Sequence, residues 1–182
     1  MSAALRWLPQ GTVYGALLNF RREWDLWAPQ MTQAPYKAAP QAPVLYIKTA
    51  NTFAPCGAAI AVPGEVDVGA TLGLVIGGFE EKLPPALAES AQAATKKEAG
   101  GLHRIAGCVL LNDLSLPHAS YYRPPIKFRN RDGFLGCGPA LQTLPSLDSL
   151  VLEVRINGES VQRVELSTLV RDAATLLRDV SE

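Results

Sequence analysis

Short apolar runs separated by polar, glycine- and proline-bearing stretches mark most of this chain, and only the last segment carries a clear helical stripe. Thr12 to Leu18 and Val44 to Lys48 read as strands. Between them runs a polar, proline-bearing connection containing Trp24 and Trp27, long enough to be a functional loop or a helix. Ala58 to Val62, Thr71 to Ile76 and Ile105 to Leu111 are apolar, partly β-branched and bounded by glycine, as buried strands are. Glu80 to Gly101 breaks the series. It is rich in Ala, Lys and Glu, has helix-forming content from Ala86 to Ala99 and ends on a double glycine, which predicts a surface insertion carrying a helix. Leu150 to Ile156 and Glu159 to Val164 flank Asn157 and Gly158, and an Asn-Gly pair predicts a hairpin because both central turn residues need positive φ. Leu166, Leu169, Val170, Ala173, Leu176, Leu177 and Val180 then fall on one stripe, predicting an amphipathic helix with Ser167 as its cap. Strands with few helices and no regular alternation predict an α+β fold, mainly antiparallel sheet, in a single domain over residues 1–182.

Composition supports a globular chain, with 48% hydrophobic and 19% charged residues. Seventeen Lys and Arg balance seventeen Asp and Glu, so there is no basic field to recruit nucleic acid. Met1 to Gln10 is broken by Pro9 and lacks the apolar core of a secretory signal, and Val68 to Phe79 is too short to span a bilayer. A cytoplasmic chain with no membrane partner is expected. Cys56, Cys108 and Cys137 are odd in number and widely spaced, so neither a disulfide framework nor a zinc site is indicated.

Few residues invite chemistry. Gly69 to Gly78 lacks the Gly-Lys-Ser/Thr ending of a phosphate loop, and reads instead as a buried strand whose Gly69, Gly73 and Gly77 permit close backbone approach. His103 and His118 each lack a neighbouring nucleophile or carboxylate arranged as a catalytic pair. His118 is the better candidate to touch a ligand, lying near Tyr121, Tyr122 and Arg123. The densest stretch is Leu111 to Gly138, with Asn112 and Asp113 at the end of an apolar strand, then Tyr122, Arg123, Lys127, Arg129, Arg131 and Asp132. Cations after a carboxylate suit an anionic substrate, since guanidinium binds carboxylate through two parallel hydrogen bonds; a solvated charged loop would read the same way.

Several blocks, taken together in order, resemble the fumarylacetoacetate hydrolase family. Gly11 to Phe20 is similar to its opening strand, and Ala42 to Phe53 to its Lys-Pro-x-Asn-Thr block, followed by Gly57 to Pro63. Gly69 to Gly77 resembles its metal strand, Ile105 to Ser115 its Asn-Asp-x-Ser block, and Tyr122 to Pro139 its Tyr-Arg-Pro, Arg-Asp-Gly-Phe and Gly-Pro elements. The resemblance implies the family's β-roll fold and a place in aromatic catabolism, in decarboxylation and isomerisation of a 2-oxo-dicarboxylate. In active members two glutamates and the Asn-Asp aspartate hold Mg²⁺ or Mn²⁺, which chelates the 2-oxo acid and stabilises its enolate. Here the two glutamates fall on Gly69 and Thr71, leaving Asp113 as the one ligand position kept. The proton-transferring His falls on Glu23, its partner Glu on Leu26, the later Lys on Arg129, and Pro117 stands where active members often have Arg.

The resemblance therefore implies a subunit without a metal of its own, partnered by a metal-bearing second subunit of the family, with Mg or Mn there, or by copies of itself. The site residues it implies are Asp113, Arg129, Lys127 and Glu23 for chemistry, and Asn112, Tyr122, Arg123 and Lys48 for substrate. Two other readings stand beside it: a metal-independent enzyme acting alone on a 2-oxo acid, and a non-catalytic assembly protein. Family members continue past the last helix into a Leu-x-x-Gly-Asp strand, so this sequence is expected to lack that strand or to be incomplete.

Overall fold

A computed structural model of the chain describes residues 7–76, 105–121, 126–141 and 146–181. The insertion expected over residues 80–101 lies outside these, as do His103, Tyr122 and Arg123. Strand β1 (Val13–Leu17) pairs antiparallel with β2 (Val44–Lys48), setting Gly15 opposite Tyr46 and Val13 opposite Lys48. Their connection carries helix α1 (Arg21–Trp27) and a 3-10 turn over Ala28–Gln30. A four-stranded sheet follows in the order β3 (Phe53–Pro55), β6 (Leu135–Leu141), β5 (Ile105–Ser115), β4 (Asp67–Ile76). The β3–β6 pairing is parallel and the other two are antiparallel. Short helix α2 (Ile126–Arg129) precedes β6. A separate hairpin, β7 (Val151–Ile156) with β8 (Glu159–Glu165), leads to helix α3 (Ala173–Ser181). This is the α+β class expected from the pattern. No helix among the described residues is long and apolar enough to cross a membrane.

Two apolar clusters form the core. Val109, Leu111, Leu135 and Cys137 pack on the inner face of the large sheet, with Val13, Phe53 and Val75 against them. Leu17, Leu18, Met31, Tyr36 and Tyr121 form the second under α1, where the Tyr36 and Tyr121 rings stack at 4.2 Å and Trp27 meets Tyr121 edge-on at 5.1 Å. Gly69 has the close backbone approach expected of it, since a Cβ there would lie 3.1 Å from the Asp113 carbonyl, whereas at Gly73 a Cβ would meet a side chain, that of Leu111 at 2.8 Å.

Four expectations are corrected. Ala58 to Val62 is not a strand: Pro55 ends β3, the Ala58 amide closes a turn onto the Pro55 carbonyl at 3.0 Å, and the run that follows is largely exposed without a pairing partner. Strand β5 runs on through Ser115, so Asn112 and Asp113 sit within it rather than at its end. β6 was not expected, because two glycines and a proline depress strand propensity. Tight packing explains the glycines, as a Cβ on Gly138 would lie 2.9 Å from the Leu110 carbonyl, and Pro139 falls where the β5–β6 register shifts, so no ladder bond is lost there. The last helix begins at Ala173, because Leu166–Thr168 forms a 3-10 turn and Leu169 bridges back to Phe20. Asp172, not Ser167, caps it, accepting the Thr175 amide at 2.7 Å.

Candidate functional site

The alternation of β2 puts Tyr46 and Lys48 on one face, and that face looks toward Asp113 on the neighbouring β5. The Tyr46 hydroxyl donates a short hydrogen bond to Asp113 Oδ2. The ring reaches it by crossing Gly15 on the facing strand, where any Cβ would collide with the phenol. Lys48 Nζ stands 2.6 Å from Asp113 Oδ1. The same ammonium also donates to the carbonyls of Arg129 at 2.8 Å and of Leu114 and Phe134 at 3.0 Å each. The Asp113–Lys48 contact is therefore a buried ion pair at charge-assisted hydrogen-bond distance, and it opposes the desolvation of Lys48. Both side chains are buried, at 1% and 8% exposure.

Arg129 completes the cluster, its guanidinium 3.5 Å from Asp113 Oδ2 and 4.5 Å above the centre of the Tyr46 ring, a cation-π position. Glu23, on α1, accepts the amide of Leu18 at 3.0 Å, and Leu18 sits at φ 61 in the left-handed region. Burial raises the Glu23 pKa above the ordinary carboxylate value, while the Leu18 amide and the charges of Arg129 and His118 pull it down. Burial beside the Asp113 carboxylate likewise pushes the Tyr46 phenol well above its usual range. For Lys48, desolvation lowers the pKa and Asp113 opposes it. Asp113, Tyr46 and Lys48 are among the residues lining a cavity of about 340 Å³ between the sheets and α3, walled mostly by apolar residues such as Leu111, Leu176 and Val180.

The structure sorts the residues singled out from sequence. Asp113, Arg129, Lys48 and Glu23 share one neighbourhood. Lys127 does not join them: it is exposed and lies over the Phe128 ring at 4.9 Å. Asn112 is exposed on the opposite face of β5, as strand alternation demands for the neighbour of an inward Asp113. His118 stacks on Phe128 and pairs through Nδ1 with the Leu116 carbonyl at 2.9 Å. Leu26 is 69% exposed. Sequence reasoning missed Tyr46 and Gly15; the signal was present as the i, i+2 relation of Tyr46 to Lys48.

A divalent ion, which the family resemblance implies, does not fit the residues present. The ladder sets Gly69 directly opposite Asp113 and Thr71 opposite Leu111, so positions 69, 71 and 113 do meet. Neither Gly69 nor Thr71 offers a carboxylate, a Cβ at 69 would lie 3.1 Å from the Asp113 carbonyl, and Asp113 already faces Lys48, Tyr46 and Arg129. No group of three or more His, Cys, Asp or Glu is placed to hold a metal among the described residues.

The fumarylacetoacetate hydrolase C-terminal family matches residues 12–182. The 4-hydroxyphenylacetate degradation bifunctional isomerase/decarboxylase of Escherichia coli is 39% identical over 176 residues, 95% of this chain and 38% of that protein. The homoprotocatechuate catabolism bifunctional isomerase/decarboxylase of Escherichia coli is 37% identical over the same shares. The chain thus spans well under half the length of these relatives. The solved 5-carboxymethyl-2-hydroxymuconate delta-isomerase of Mycobacterium smegmatis, 21% identical, shares the fold at a TM-score of 0.65, covering 97% of this chain and 64% of that one. On the family match and the identity to these relatives, the chain belongs to the fumarylacetoacetate hydrolase family.

Proposed function

We propose that the chain is a cytoplasmic subunit of a decarboxylase/isomerase of homoprotocatechuate catabolism. Its substrate would be 5-carboxymethyl-2-oxohex-3-ene-1,7-dioate, and its isomerisable product 2-hydroxyhepta-2,4-diene-1,7-dioate. The relatives named above support the pathway, and the state of Asp113 supports the division of labour. With both carboxylate oxygens facing Lys48, Tyr46 and Arg129, and with Gly69 and Thr71 beside it, this chain offers no open hard-cation site. The Mg²⁺ or Mn²⁺ is assigned to a second subunit of the family, against which this chain acts as a rigid scaffold. The test is turnover of the oxo-diacid by each purified chain and by their mixture, with and without Mg²⁺. Negligible turnover by this chain alone, and a mixture faster than the partner alone, are expected; full Mg²⁺-dependent turnover by this chain alone would overturn the proposal.

The raised pKa of Glu23 favours one second reading, a metal-independent enzyme in which Glu23 moves the proton and Arg129 holds the anionic substrate. That reading requires Asp113→Ala and Arg129→Ala each to abolish activity of the isolated chain.

A further inference from the structure

Lys48 does something that neither the family match nor the proposed function requires. Its ammonium sits inside four oxygens that come from three separate pieces of the chain: Asp113 Oδ1 and the Leu114 carbonyl on β5, the Arg129 carbonyl on α2, and the Phe134 carbonyl just before β6. Three of the four are backbone atoms of anchored segments. The Leu114 amide bonds the Phe134 carbonyl at 3.0 Å, the Gly133 amide bonds the Asn51 carbonyl at 3.1 Å, and the Thr49 amide takes the Asn130 side chain at 2.9 Å. The segments that carry the cage are thus tied to one another by bonds besides those to Lys48.

We propose that these oxygens form a monovalent-cation site which the chain fills with its own ammonium, and which accepts a free ammonium-type cation or K⁺ once that ammonium is removed. The nitrogen–oxygen distances of 2.6 to 3.0 Å are those of charge-assisted N–H···O bonds. They are long for Mg²⁺, which requires about 2.0–2.1 Å, and lie at or beyond the upper end of the range for Ca²⁺, about 2.3–2.6 Å. Charge selects in the same direction, because one carboxylate, which also faces Arg129 at 3.5 Å, and three neutral carbonyls favour no more than a single positive charge. The site also has a structural consequence. The Arg129 carbonyl is held by the ammonium while its guanidinium covers the Tyr46 ring, so Lys48 is the positioning residue for the whole Asp113 cluster. The inference rests on this geometry alone and stands whether or not the subunit reading does.

Lys48→Ala keeps the Cβ and leaves a slot with the shape of propylammonium. Thermal unfolding of this variant is measured in propylammonium, ammonium, potassium and magnesium chlorides, with tetramethylammonium chloride matching ionic strength. Expected is a saturable rise in Tm with propylammonium, then ammonium and K⁺, of about 5–10 °C where the cation reaches about 100 times its Kd, with no such rise in the wild type. Magnesium is expected to give no more than the ionic-strength control. A folded variant with equal Tm in all five salts overturns the proposal, and so does selectivity for Mg²⁺. If Lys48→Ala fails to fold, the wild type carries the test by nitrogen-15 NMR, the side-chain signal being assigned by its loss in Lys48→Arg. A Lys48 ammonium protected from exchange supports the cage, and one exchanging as fast as surface lysines overturns it.

Discussion

In the β7–β8 hairpin, Asn157 at φ 54 and Gly158 at φ 86 form the turn, and charged pairs such as Arg155 with Glu153 lie exposed on one strand. In the β1–β2 pair no tight turn joins the strands. Alignment there goes with a ring passing over Gly15, and with a buried lysine whose partners all lie on other elements. The first hairpin is specified by neighbours in sequence and tolerates loss of its surface charges. The second depends on contacts more than 60 residues apart, as for Lys48 to Leu114 and Tyr46 to Asp113, so a single side chain there carries the alignment of several elements.

That contrast can be broken at its strong end first. Asp113→Ala strands the Lys48 ammonium without its counter-charge and should cost about 3–5 kcal/mol in urea unfolding, since removing one partner of a buried pair leaves the other uncompensated. A loss under about 1 kcal/mol would mean that the carbonyls alone satisfy Lys48. Gly15→Ala drives a methyl into the Tyr46 ring and should cost about 1–3 kcal/mol as an overpacking defect, together with loss of the Tyr46–Asp113 hydrogen bond seen by NMR. At the locally specified hairpin, Gly158→Ala places a Cβ at positive φ and should cost about 1 kcal/mol, with no effect on the Asp113 cluster.

A smaller effect tests Glu23 through pH. Burial raises its folded-state pKa, so the folded chain binds the proton more tightly than the unfolded one, and stability falls as pH rises from the ordinary glutamate range through the raised value. Glu23→Gln can keep an acceptor for the Leu18 amide and should flatten that part of the curve of Tm against pH; an unaltered slope would assign it to other groups. Smallest of all, Arg155→Ala should leave Tm unchanged, because its ion pair is solvated.

Much of the architecture was legible where local rules operate. Short apolar, partly β-branched runs marked β1, β2 and β5, and the Asn-Gly turn marked β7–β8 to within a residue or two. The resemblance led to Asp113 and to the exchange of glutamates for Gly69 and Thr71. Legibility failed where the deciding partner is remote. Ala58 to Val62 has a strand's composition but no strand beside it, and Leu135–Leu141 has a poor composition but is held between β3 and β5. Tyr46 was not singled out, and Lys127 and Arg129 were both expected at the site, until α2 turned one outward over Phe128 and the other inward over Tyr46.

By itself, then, the sequence determined the α+β class, the hairpin turn, the family and the side-chain types at positions 69, 71 and 113, because each follows from periodicity, from turn stereochemistry or from residue identity. Only the tertiary structure decided that Asp113 faces a lysine, a tyrosine and an arginine of its own chain. A buried charge takes the counter-charge that packing brings within a few ångströms, and that distance is set by the register of β2, β5 and β6, which no local pattern encodes.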